Sequence, residues 1–207
     1  MPINELNLES FNFPPGLPNG NANFRFVADI RYIDAEGELA TAHSVMPGLD
    51  TFWECDKDKS TAANYVRNAT NGFNMALINS WDRLILLTKA TKVHSIQVKI
   101  FDVDRRDFWD KFKEILGPII TSLLGIAKTV TTAAIPKPVA FLTGAFGTAI
   151  EDVESFTLKK LANGEDRLLC KIAFDSIPNT VGTHPLLMSG VMGSKGTYDL
   201  GLKLTIV

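Results

Sequence analysis

A mainly β chain with an α-helical insertion, an antiparallel β-sandwich carrying a helical hairpin, is the fold class this sequence predicts. Three observations carry it. Apolar residues alternate with polar ones near the start of the chain, the same alternation returns near its end, and between them apolar positions recur at helical spacing.

The elements follow in order. Residues 1–23 end in the Pro-, Gly- and Asn-rich stretch FPPGLPNGNAN and predict an irregular N-terminal arm. In FRFVADIRY, Phe24, Phe26, Ala28, Ile30 and Tyr32 alternate with Arg25, Val27, Asp29 and Arg31, the pattern of a half-buried strand. DAEGE is a turn, and LATAHSV returns as a second strand. DTFWECD, Asp50 to Asp56, is a third candidate, and residues 57–72 are polar and predict a loop. WDRLILLTK and HSIQVKIFDVD give two more strands. Late in the chain RLLCKIAFD alternates through Leu168, Cys170, Ile172 and Phe174. GVMGSKGT predicts a turn, and Tyr198, Leu200, Leu202, Leu204 and Ile206 share one face of a final strand.

The middle has a different period. Phe108, Trp109, Phe112, Ile115, Leu116, Ile119, Ile120, Leu123, Leu124 and Ala127 form a stripe that only an α-helix would place on one side. Pro118 predicts a kink or a restart within it, and IPKP, Ile135 to Pro138, ends it. A second stripe runs through Leu142, Ala145, Phe146, Ala149, Ile150, Val153 and Phe156, and NGED closes it with Gly164 at a C′ position. A helical hairpin over about 108–162 is therefore expected inside a single domain spanning 24–207.

Composition narrows the function classes. With 207 residues the chain can bury a core without a metal or disulfide, and a net charge of −2 argues against a broad nucleic-acid footprint. Cys55 and Cys170 are expected as two buried free thiols. His43, His94 and His184 are scattered, without the spacing a zinc site needs. There is no GxSxG, HExxH, P-loop or dinucleotide fingerprint, so no enzyme is expected. Trp53, Trp81 and Trp109 are read as core residues. The N-terminus has neither a basic nor an apolar leader region. The expected location is cytoplasmic or peripheral to a membrane, or outside the cell by a route without a signal peptide.

Three stretches resemble the C2 domain, an eight-stranded lipid-binding β-sandwich. IQVKIFDVDRRDFWD is similar to that family's sixth strand and third calcium loop, V-x-V-x-D-x-D-x5-D, with Asp102, Asp104 and Asp110 at its spacing. ALINSWDRLILL is similar to L-N-P-x-W-N-E-x-F-x-F, with Asn79 and Trp81 in register. PGLDTFWEC is similar to G-x-S-D-P-Y-V-K-V, with Asp50 at the aspartate. Both prolines of those patterns are replaced here, and the first loop lacks its earlier aspartate, reading HSV instead.

The resemblance implies a calcium site on Asp50, Asp102, Asp104 and Asp110. Calcium takes about six to eight hard oxygens from converging loops. On a plainer reading these carboxylates end a solvated strand and favour the start of the following helix, with Asp107 as its N-cap. Ile115 to Ile135 is 21 residues with one charge, Lys128, about 30 Å of helix and enough to cross a bilayer. Its other side carries Lys111, Lys113, Glu114, Thr121, Ser122 and Thr129, so it is a one-sided helix that lies on something rather than a presumptive span.

The expected function is a non-catalytic C2-like module that binds a lipid membrane or a protein partner through its acidic loop, assisted by a cation. Phe108, Trp109, Phe112, Ile115, Leu116, Ile119, Ile120, Leu123 and Leu124 would make the contact. Two alternatives stand beside it: an assembly protein whose hairpin packs on another subunit, homo-oligomers included, and a membrane-perforating effector.

Overall fold

The structure, a computed structural model, describes residues 2–17, 21–47, 52–103 and 167–207. These residues are mainly antiparallel β-sheet. Nine strands occur in the order β1 (Ile3–Asn12), β2 (Asn23–Ile33), β3 (Leu39–Met46), β4 (Trp53–Glu54), β5 (Leu84–Lys89), β6 (Lys92–Asp102), β7 (Arg167–Phe174), β8 (Gly182–Gly193) and β9 (Gly196–Ile206). One sheet has the order β5-β1-β9-β8. The other has β3-β2-β6-β7, with β4 paired to the start of β2. A 3₁₀ turn (Met75–Leu77) and a four-residue helix α1 (Ser80–Arg83) precede β5.

Alternation explains the core. Phe24, Phe26, Ala28 and Ile30 of β2 are fully buried, and the register partners of the last three on β6, Ile100, Val98 and Ile96, are buried with them. The other sheet contributes Leu6 and Leu8 of β1, Ile85 and Leu86 of β5, and Leu200, Leu202 and Leu204 of β9, all in the same apolar cluster. Each such Leu, Ile, Val or Phe side chain contributes about 1.5–3 kcal/mol on removal from water. Aromatic rings join the two sheets: Phe11 of β1 lies 5.2 Å from Phe24 and 4.7 Å from Phe26, centroid to centroid, both edge-on.

Several expectations are corrected. Residues 1–23 are not an irregular arm, because Ile3–Asn12 is a strand with β5 on one side and β9 on the other. Its pattern hides in the sequence for two reasons. Asn4 occupies a buried position, donating to the Ala90 carbonyl at 2.8 Å, and the register shifts between Leu8 and Ser10, so Phe11 takes the place that strict alternation assigns to residue 10. Gly201 lies opposite the bulge, where a Cβ would meet the Ser10 hydroxyl.

Of the predicted strand at Asp50 to Asp56, residues 52–56 are described, and among them only Trp53 and Glu54 of β4 are strand. Trp81, Asp82 and Arg83, expected in the next strand, instead form α1, because the Asn79 side chain caps it by accepting the Asp82 N–H at 2.9 Å. In β7 a register shift opposite Ile100 and Phe101 leaves Leu169 without a cross-strand partner. Leu169 is buried while Leu168 is turned outward. β8 matches no expected strand, and its last four residues fall in GVMGSKGT, whose expected turn narrows to Ser194 and Lys195. The strand is a sheet edge in which Leu187, Met188 and Met192 are exposed, so no alternation marks it. The hairpin expected over 108–162 lies outside the described residues.

Candidate functional site: the loop end of the sheets

The first residues of β2 define one end of the molecule. Phe24 pairs with Trp53 of β4 on one side and with Asp102 of β6 on the other, and Asp102 in turn pairs with Arg167 of β7. Met46, the last residue of β3, lies opposite Phe26. The chain therefore enters and leaves both 48–51 and 104–166 at this end. Asn12 at the end of β1 pairs with Gly72, and the backbone N–H of Phe73 bonds the Phe11 carbonyl at 2.8 Å, so the 55–73 connection closes over the same end. Beneath it sits an aromatic floor of Phe11, Phe13, Phe24, Phe26, Trp53 and Phe73, with Trp53 and Phe73 edge-on at 5.2 Å.

Asp102 is the one member of the expected calcium set among the described residues. It is half-buried at the tip of β6, and its Oδ1 accepts the Asn23 backbone N–H at 3.0 Å. One carboxylate oxygen thus ties β6 to the start of β2. Asp50, Asp104 and Asp110 lie outside the described residues, as do Phe108, Trp109, Phe112, Ile115, Leu116, Ile119, Ile120, Leu123 and Leu124. Among the described residues no group of three or more His, Cys, Asp or Glu side chains is arranged to hold a metal ion.

The structure adds charged residues at this end that sequence reasoning passed over as a polar loop. Lys59 Nζ lies 3.6 Å from both Glu54 and Asp56, and Asp56 is buried, its Oδ1 accepting the Asp58 N–H at 2.8 Å. Arg67 donates to Asn71 at 2.7 Å and to the Cys55 carbonyl at 3.4 Å, and its guanidinium lies 5.9 Å from the centre of the Phe13 ring. The KDK run at Lys57–Lys59 was the signal in the sequence, but nothing in it says which carboxylates the lysines reach.

Cys55 lies among these groups and is fully buried. Burial pushes its thiol well above the ordinary 9.0, Arg67 pulls the other way, and Glu54 and Asp102 push up again. Tyr198 is likewise raised, first by burial and then by Cys170 and Asp102, while its hydroxyl donates to the Ser194 carbonyl at 2.7 Å. Cys55 and Cys170 are both free and buried, as expected. Of the two described tryptophans, Trp53 is buried in the core, whereas Trp81 is 61% exposed on α1, correcting the reading of it as a core residue.

At the opposite end an open cleft of about 400 Å³ runs between the start of β6 and the chain after β7, past Lys92, His94 and Asp175. Its buried lining residues, Val93 and Ile177, are apolar, so no buried polar group there is set to orient a ligand. Among the described residues no helix is long and apolar enough to cross a membrane. Comparisons with protein-family models, with curated proteins and with solved structures find no match to this chain.

Proposed function

We propose that the chain is a non-catalytic, C2-like β-sandwich module, carrying a helical hairpin over 108–162, that docks on a lipid membrane through its loop end. The observation that carries this reading is the convergence of loop roots around Asp102. The segments holding Asp50 on one side and Asp104 and Asp110 on the other start from strands that flank β2, at one end. Loops rooted together can bring carboxylates together, and a hard cation needs oxygens from more than one of them.

Asp50, Asp102, Asp104 and Asp110 would hold a calcium ion, which supplies positive charge to bridge the acidic end to anionic head groups. Phe108, Trp109 and Phe112, close in sequence to Asp110, would serve as apolar anchors. The aromatic floor under the loop roots keeps their spacing fixed, so little order is lost on docking. Co-sedimentation with phosphatidylserine-containing vesicles, in calcium and in chelator, tests the reading. Pelleting that depends on calcium is expected, and a chain that stays in the supernatant in both conditions would refute it.

A further inference from the structure

The sequence holds one Asn-x-Thr triplet, Asn68-Ala69-Thr70, and no other Asn is followed at the second place by Ser or Thr. This is the acceptor pattern for an N-linked sugar, which requires an exposed loop. The fold supplies one. Residues 68–72 form the tip between Arg67 and Phe73, which face each other as an antiparallel bridge. The Asn68 backbone N–H donates to the Gly72 carbonyl at 3.0 Å and closes the tip. Two contacts fix it from below. Gly72 pairs with Asn12 of β1, so closely that a Cβ on Gly72 would strike the Asn12 side chain, and Arg67 donates to Asn71 Oδ1 at 2.7 Å. Ala69 and Thr70 are exposed and Asn68 is half-buried.

Two donors orient the Asn68 carboxamide. The Thr70 hydroxyl donates to Asn68 Oδ1 at 2.8 Å, and the Gly72 backbone N–H donates to the same oxygen at 3.3 Å. A backbone N–H can only donate, so the atom that faces it is the oxygen and not the nitrogen. Nδ2, at the other corner of the planar amide, points away from both donors and has no hydrogen-bond partner among the described residues. The contacts to Oδ1 also bear on reactivity. An amide nitrogen is a poor nucleophile because its lone pair is shared with the carbonyl. Hydrogen bonds that stabilise charge on Oδ1 make a proton on Nδ2 easier to lose as the nitrogen attacks.

We propose that Asn68 is an acceptor for N-linked glycosylation, with a glycosyl diphosphate as the donor. Asn68 Nδ2 attacks the anomeric carbon of the sugar. The bond from nitrogen to that carbon forms, the bond from the carbon to the phosphate oxygen breaks, and the diphosphate leaves with the electron pair. Nδ2 gives up one proton to a base of the transferring enzyme. Thr70 is a positioning residue, acting through Asn68 Oδ1. The assignment does not rest on lipid docking, and intact mass reads it with no lipid vesicle present.

The folded full-length chain is offered to a purified oligosaccharyltransferase with a polyprenyl-diphosphate glycan. In a second arm it is offered to a soluble N-glycosyltransferase with a nucleotide-diphosphate hexose. In at least one arm the intact mass is expected to rise by a single glycan, mapped by peptide mass to Asn68; the arm that accepts it identifies the donor as lipid-linked or nucleotide-linked. Asn68→Gln should abolish the transfer. Thr70→Ala should lower it several-fold and Thr70→Ser should restore it, a rescue that depends on the hydroxyl. Residue 70 is exposed, so both variants should keep the unfolding midpoint of the unmodified chain. A chain left unmodified in both arms, where a standard acceptor peptide is modified, overturns the proposal. So does a transfer that Thr70→Ala leaves unchanged.

Discussion

The Phe11 ring of β1 lies edge-on against the Phe26 ring of β2, 4.7 Å between centroids, and so fastens one sheet to the other directly beneath the loop roots. Phe73, from the long 55–73 connection, stacks on Phe26 at 5.7 Å, and Trp53 of β4 meets the same ring at 5.3 Å. A β-strand of two residues would be a weak element by itself, and it is this aromatic packing that fixes β4 beside β2. The end of the molecule that carries Asp102 is thereby tied to the aromatic cluster of the core.

The two described tryptophans should therefore behave oppositely. Trp53→Ala removes a buried ring from the aromatic floor and is expected to cost about 3–5 kcal/mol. Trp81→Ala, at an exposed site, should change stability by no more than about 0.5 kcal/mol. Denaturant unfolding of the two variants checks this.

The β8–β9 hairpin is pressed against β7. The Ser194 N–H bonds the Leu169 carbonyl at 2.7 Å, and a Cβ on Gly193 would strike that same carbonyl oxygen while lying 2.8 Å from the Tyr198 ring. The obstruction includes backbone, so rotating a side chain does not relieve it. Gly193→Ala should destabilise by about 1–3 kcal/mol. Gly37→Ala, where a Cβ meets nothing within 4 Å and the cost is the positive φ of 84°, should cost about 1 kcal/mol. Thermal unfolding of both variants compares collision with backbone strain.

Stability should fall as the pH rises into the alkaline range. The folded chain holds the Cys55 proton, because burial raises that thiol, whereas the unfolded chain releases it near the ordinary 9.0. The folded state then binds more protons, so the contribution is fully present below pH 9.0 and is lost as pH rises above it, toward the raised folded value. Tyr198 adds a loss of the same sign above its ordinary 10.0. Denaturant midpoints between these two values should decline with pH, and Cys55→Ala should flatten that decline.

Where local pattern and burial agree, the fold was legible in the residues. β2 and β9 alternate over most of their length, and β2, β3, β6 and β9 each appear at nearly the expected place. β1 and β7 carry register shifts, which put two residues opposite one and break the period that makes a strand readable. β8 is an edge with apolar residues on its exposed positions, and Asn4 is a polar residue in a buried one; both depend on neighbours distant in the chain. The site was less legible. Asp102 could be singled out by spacing, but that it would bond the Asn23 backbone depends on the β2–β6 register, as the Lys59 contacts to Glu54 and Asp56 depend on the 55–73 fold.

Vesicle co-sedimentation of the unmodified chain beside an Asp104→Asn, Asp110→Asn variant tests the central claim most directly. Both carboxylates are assigned to the cation, and neither is needed for the β6–β2 bond that Asp102 makes. Calcium-dependent pelleting of the unmodified chain, lost by at least about tenfold in the variant while its unfolding midpoint stays the same, is the predicted result; a tenfold loss corresponds to about 1.4 kcal/mol of binding. Equal pelleting of the two proteins, or none by either, would contradict a cation-bridged membrane contact at this end of the sheets.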